Sequence, residues 1–142
     1  MNVYLACTVR GDRSAVLALR GLCDRLEAAG HRVLTRHLLE DDVDAAEARL
    51  TERDVYERDI GWLDACDVLI ADASGSSFGV GFEVGYVLGR GAGQTVILVY
   101  NEARRDTISR LIAGNAHPRC VTHGYRDAAE LDAIVERAIA LR

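Results

Sequence analysis

Short runs of β-branched and aliphatic residues alternate five times along this chain with longer stretches patterned for helices, and no other feature restricts the fold as much. Val3–Cys7, Arg32–Thr35, Val68–Ala71, Thr95–Tyr100 and Arg119–Thr122 read as strands. Ser14–Ala29 places Val16, Leu17, Leu19, Leu22, Leu26 and Ala29 mostly on one helical face, and Gly30 supplies the stop. The spacing predicts further helices over roughly Ala45–Ala65, Gly81–Arg90, Thr107–Ala113 and Asp127–Leu141. The order is therefore βαβαβαβαβα.

Strands that alternate with helices need right-handed crossovers, which build a parallel sheet with helices on both faces. Five such strands are most commonly ordered 2-1-3-4-5, the flavodoxin-like form of the Rossmann-like three-layer α/β sandwich. With 142 residues the chain is expected to be a single domain, residues 1–142, around one sheet. In this topology the ligand crevice opens where the strand order reverses, beyond the first and third strands. Two loops fall there: Cys7–Arg13, and Ala73–Glu83 with its Ser76, Ser77, Gly79 and Gly81. Hydroxyls, glycines and arginines at a helix N-terminus are the groups that gather an anion onto backbone N–H groups.

Composition narrows the functional classes. A net charge of −5 with dispersed basic residues disfavours a nucleic-acid surface. No apolar stretch approaches the ~20 residues of a membrane span and the N-terminus lacks a signal-peptide pattern, so a cytoplasmic protein is expected. Cys7, Cys23, Cys66 and Cys120 are scattered without a CxxC pair, which suggests neither a zinc site nor a disulfide framework. Neither a GxxxxGK[ST] loop nor a GxGxxG motif after the first strand is present.

Glu83 lies about one turn into the helix that follows the glycine turn, where its carboxylate can face the crevice. Gly79-Val80-Gly81 at a strand-to-helix turn can equally serve close packing alone. Asp59 lies one turn before Trp62 on a helix rich in acids; it is either solvated, as most such acids are, or the second carboxylate that glycoside cleavage generally needs. Arg10 and Arg13 fit phosphate by their planar, permanently charged forks, and fit a solvated loop as well. His37, His123 and Tyr4 read as strand residues without a forced role.

Taken together, these segments resemble the 2'-deoxynucleoside 5'-phosphate N-hydrolase branch of the nucleoside 2-deoxyribosyltransferase superfamily. Tyr4-Leu5-Ala6-Cys7-Thr8-Val9-Arg10-Gly11-Asp12-Arg13 is similar to its Tyr-x-x-Gly-Ser-Ile-Arg-Gly-x-Arg loop, and Leu34-Thr35-Arg36-His37 to its Leu-Thr-x-His strand end. Tyr56-Glu57-Arg58-Asp59-Ile60-Gly61-Trp62-Leu63 is similar to its His-Glu-x-Asp-Leu-x-Trp-Leu segment, and Ser77–Gly85 to its Ser-Leu-Gly-Val-Gly-Tyr-Glu-Leu-Gly turn. The resemblance implies an N-glycosidase with Glu83 as nucleophile, Asp59 assisting the leaving base and Tyr4 orienting the nucleophile. It further implies a substrate loop of Thr8, Val9, Arg10, Gly11 and Arg13, with His37 toward the base and sugar. Ser77, Gly79 and Gly81 would complete the site, together with Ser109 contributed by the other subunit of a homodimer. No metal or organic cofactor is implied.

Cys7 stands where the family has glycine, Thr8 where it has serine and Tyr56 where it has histidine. The bulk of Cys7 bears on base and sugar preference. Two rival readings share part of this machinery: a deoxyribosyltransferase would use the same two acids, whereas a non-catalytic nucleotide-binding protein would need the phosphate loops alone.

Overall fold

A computed structural model of the protein describes residues 1–141. Its five strands, β1 (Asn2–Ala6), β2 (Arg32–Val33), β3 (Val68–Asp72), β4 (Thr95–Asn101) and β5 (Cys120–Tyr125), pair in parallel in the order β2-β1-β3-β4-β5. Val3 to Ala6 of β1 lie beside Val68 to Ala71 of β3 at the centre of the sheet. The helices are α1 (Val16–Ala28), α2 (Val43–Glu47), α3 (Glu52–Ala65), α4 (Phe78–Arg90), α5 (Arg110–Ala113) and α6 (Ala128–Ala140). The expected three-layer α/β architecture and strand order are those observed.

Two apolar layers sandwich the sheet, because successive strand side chains point to opposite faces. Val3, Leu5, Ile70, Ile97 and Val99 pack with Leu19, Leu22 and Leu26 of α1 and Leu131 and Val135 of α6. Tyr4, Ala6, Leu69, Ala71 and Leu98 face the other way, against Leu63 of α3 and Val80, Val84 and Val87 of α4. This parity matters for the site: Tyr4 is delivered to the α3/α4 side because Val3 and Leu5 belong to the α1/α6 side.

The structure departs from the expected elements in five places, one of them the end of β5, which runs to Tyr125 rather than Thr122. Strand β2 pairs over only two residues rather than Arg32–Thr35. Here the Thr35 hydroxyl replaces the ladder, accepting from the Leu5 N–H at 2.9 Å and donating to the Leu5 carbonyl at 2.8 Å. The single helix expected over Ala45–Ala65 is two helices, because Thr51 starts α3 with a capping box. Its hydroxyl accepts from the Asp54 N–H and its own N–H donates to the Asp54 carboxylate. Helix α4 begins at Phe78, not Gly81, since Ser77 is its N-cap and accepts from the Val80 N–H at 3.3 Å. The segment expected as one helix over Thr107–Ala113 is a 3-10 turn over Glu102–Thr107 followed by the short α5.

Candidate active site

Beyond the ends of β1 and β3, a cleft of ≈ 660 Å³ opens, within the size range of small-molecule sites. Val9, Leu38, Leu50 and Val55 give it apolar walls, Glu83 and Asp59 lie in it, and Ser77, Phe78 and Gly79 bring the N-terminus of α4 to its other end. A helix start offers unpaired N–H groups and a partial positive charge, so this end suits an anion.

Glu83 lines this cleft with its carboxyl held from the sheet side. The fully buried Tyr4 donates its hydroxyl to Glu83 Oε1 at 2.6 Å. Burial is the first cause that lifts the Glu83 carboxyl to about 7, with the charge of Asp59 adding to it and the Tyr4 hydrogen bond pulling the other way. Burial and the nearby Glu83 push the Tyr4 phenol far above its usual range, so it stays protonated and donates. The pair thus holds a carboxylate that ionises near neutrality with its orientation fixed, the condition for a nucleophile or general base.

Asp59 approaches from α3. Arg58 holds its Oδ1 through Nε at 2.8 Å and also forks onto Glu47, Nη1 to Oε1 at 2.8 Å and Nη2 to Oε2 at 3.2 Å. The guanidinium lies over the Trp62 ring, 5.0 Å from its centroid. Glu47 is held below the usual carboxylate range chiefly by the Arg58 hydrogen bond. His37 sits behind this group, its Nε2 3.4 Å from Glu47 Oε1 and its ring 5.4 Å from Trp62. Burial, then Arg58, pushes it below its ordinary range, which keeps it neutral.

The structure brings Val9, Arg10, Asp59, Ser77, Gly79 and Glu83 to one cleft, with Tyr4 bonded to Glu83 beneath it. Others lie apart. Arg13 donates to the carbonyls of Thr8, Leu38 and Glu40 at 3.0–3.3 Å, so its fork holds the first loop against the segment after β2. Arg10, at the mouth of the cleft, is exposed, with Asp44 at 3.5 Å. Thr8 is buried, with its hydroxyl unpartnered; a Cβ on Gly75 would come within 2.7 Å of that oxygen, so glycine is what lets the two loops touch. Gly11 turns the first loop at φ 143°. Gly81 and Ser109 line a second, smaller cavity of ≈ 90 Å³ behind the start of α4, and Ser76 and Ser77 border both spaces.

Sequence reasoning did not single out Glu47, Leu38 or Leu50, nor give Arg58 a part. Arg58 carried a signal in its adjacency to Asp59; Glu47 carried none, because its part depends on how α2 folds back. Cys7 does line the cleft, and burial pushes its thiol up to about 11, so it is a neutral wall rather than a nucleophile. Among the described residues, no three His, Cys, Asp or Glu side chains group as metal ligands, and no helix is long and apolar enough to cross a membrane.

Fold and cleft together define a doubly wound α/β protein with a carboxylate-lined cleft at its topological switch point, where ligands of such folds bind. Residues 3–133 match the family model of nucleoside 2-deoxyribosyltransferase, and the chain belongs to that family. It is 45% identical over 130 residues to a Thermofilum pendens protein named 2'-deoxynucleoside 5'-phosphate N-hydrolase 1, covering 92% of this chain and 89% of that one. It is 28% identical over 138 residues to the 5-hydroxymethyl-dUMP N-hydrolase of Danio rerio, covering 96% and 94%. Among solved structures, the CMP N-glycosidase of Clostridium botulinum shares the fold with a TM-score of 0.71 at 20% identity, over 96% of this chain and 98% of that one.

Proposed function

We propose that this protein is a nucleoside 5'-monophosphate N-glycosidase that releases free base and sugar 5-phosphate through a covalent intermediate on Glu83. The observation that carries the reading is the Tyr4–Glu83 hydrogen bond of 2.6 Å, inside a cleft that Asp59 and the N-terminus of α4 share. Relatives that cover nearly all of this chain and are named N-hydrolases of nucleoside 5'-phosphates support it.

In the first step a Glu83 carboxylate oxygen bonds to the anomeric carbon as the carbon–nitrogen bond breaks. The bonding electrons leave with the base, and Asp59 assists their neutralisation by a proton. In the second step water attacks the same carbon and gives its proton to Asp59, the glycosyl–Glu83 bond breaks, and the carboxylate is restored. Positive charge builds on the sugar in both transition states, and an ionised Glu83 stabilises it. The phosphate rests on Arg10, Ser77 and Gly79 at the start of α4, and Val9 packs toward the base. Binding so far from the reacting bond positions it for attack.

The working unit is a homodimer in which Ser109 of one subunit completes the phosphate site of the other. Phe78, Phe82 and Leu111, all exposed, flank Ser77 and Ser109 along the chain, and the positions of Gly81, Gly85 and Gly89 on α4 open onto empty space. Such a face fits close approach by a second helix.

The test is incubation with a panel of ribo- and deoxyribonucleoside 5'-monophosphates and the matching nucleosides, separating products by chromatography. Free base and sugar 5-phosphate are expected in equal amounts from a monophosphate and not from its nucleoside. Release of base only when a second base is supplied would identify a transferase, and no release from any substrate would leave a binding protein.

A further inference from the structure

Neighbouring residues on a helix point about 100° apart and do not ordinarily face each other, yet Arg58 and Asp59 are an ion pair at 2.8 Å. The contact exists because the Arg58 side chain is folded down by other partners. Trp62, one turn further along α3, gives the guanidinium a platform at 5.0 Å. Glu47, reaching from α2, takes Nη1 and Nη2 at 2.8 and 3.2 Å and leaves Nε pointing at Asp59 Oδ1. The three side chains are 21%, 22% and 13% exposed for Arg58, Asp59 and Glu47, dry enough for the charges to hold their geometry better than a surface pair does. Among the described residues, Arg58 holds Asp59 through Oδ1, and Asp59 lines the cleft.

We propose that Arg58 is a positioning residue: anchored by Glu47 and Trp62, it fixes the Asp59 carboxylate in the rotamer that meets the leaving base. This rests on the reading above, in which Asp59 serves the departure of the base. The arrangement also ties α2, whose Glu47 borders the base side of the cleft, to the aim of the acid. A lysine could supply the charge, but not a fork that grips two carboxylates at once.

The experiment compares Arg58→Gln, Asp59→Asn and the double variant on two substrates. One is a nucleoside monophosphate that the parent cleaves. The other is the same sugar 5-phosphate carrying 4-nitrophenolate, a leaving group that departs without a proton. Misplacing a catalytic group by about 1 Å costs roughly a hundredfold, so Arg58→Gln is expected to lower kcat on the nucleotide by about that factor. KM should stay within about threefold, and the nitrophenyl substrate should lose less than about fivefold. The double variant should be no slower than Asp59→Asn, because a residue that acts through Asp59 has nothing left to position.

Equal losses on both substrates, or losses that multiply in the double variant, would assign Arg58 a merely structural part and overturn the proposal. So would an impaired Asp59→Asn beside a normal Arg58→Gln. A fully active Asp59→Asn would instead remove the role of Asp59 itself, and the proposal with it. Should Arg58→Gln fail to fold, Glu47→Gln carries the same comparison: a loss confined to the nucleotide supports the proposal, and an equal loss on both substrates overturns it.

Discussion

Replacing Tyr4 by Phe removes one oxygen from the site and leaves a ring that fills the same core position. That oxygen donates to Glu83 at 2.6 Å and favours its charged form, against the burial that raises the carboxyl to about 7. A hydrogen bond to a charged group is worth about 1.5–3 kcal/mol. At about 1.4 kcal/mol per unit, losing it raises the Glu83 pKa by roughly one to two units. Activity needs the carboxylate, so the acidic limb of kcat/KM, which reports the free enzyme, should move from near 7 to roughly 8–9. At pH 7 the ionised fraction falls from about half to between about 1 and 10%, a loss of roughly five- to fiftyfold, largely recovered by pH 9.5. The assay is initial-rate base release from a monophosphate between pH 5.5 and 10. A substrate phosphate titrates near pH 6 and is doubly charged across the range that decides the matter. A limb that stays in place while the whole profile drops would refute the argument and reduce Tyr4 to packing.

Four further outcomes are expected. Glu83→Gln should lose turnover by orders of magnitude while keeping binding, and base release above about a tenth of the parental rate would remove the nucleophile assignment. The same variant should gain stability: the native state holds a proton between pH 4.5 and about 7 that the unfolded chain has lost, so parental stability falls as pH rises through that window. Urea unfolding should then favour Glu83→Gln by up to about 3 kcal/mol at pH 8 and by little at pH 4. Arg10→Ala should leave the melting temperature unchanged, since its pair with Asp44 is exposed, but raise KM for a monophosphate roughly ten- to a hundredfold; equal kinetics would take Arg10 out of the site. Sedimentation should show a dimer at assay concentration, and a fully active monomer would end the part given to Ser109 across the interface.

The fold was legible because its signals are local and repeated. Short runs of β-branched and aliphatic residues gave the strands, and their separation by helices left few ways to order them. The site was legible where a side chain's part follows from its place on an element: Glu83 one turn into α4, Asp59 on the helix before β3. It was not legible where one residue type serves two ends. Arg13 looks the same in sequence whether it holds carbonyls or a phosphate, and the structure gives it three carbonyls. The break before α3 did leave a mark, Thr51-x-x-Asp54, but the apolar pattern runs through it and hides it. Without that break, Glu47 would continue the same helix as Arg58 rather than reach it from another.

Tyr4 occupies the middle of β1, paired on one side with the short β2 and on the other with β3. A group mounted there cannot drift by fraying, as one on a loop can; displacing it means opening the centre of the sheet. The orienting hydroxyl should therefore persist until the molecule as a whole comes apart, so heat should silence the Tyr4–Glu83 pair only at global unfolding. The Asp59 side has no such insurance, because its alignment depends on the five-residue α2, Val43–Glu47. The two halves of the machinery thus have unequal lifetimes: on warming, the enzyme should first lose its hold on the departing base and only later its capacity to attack.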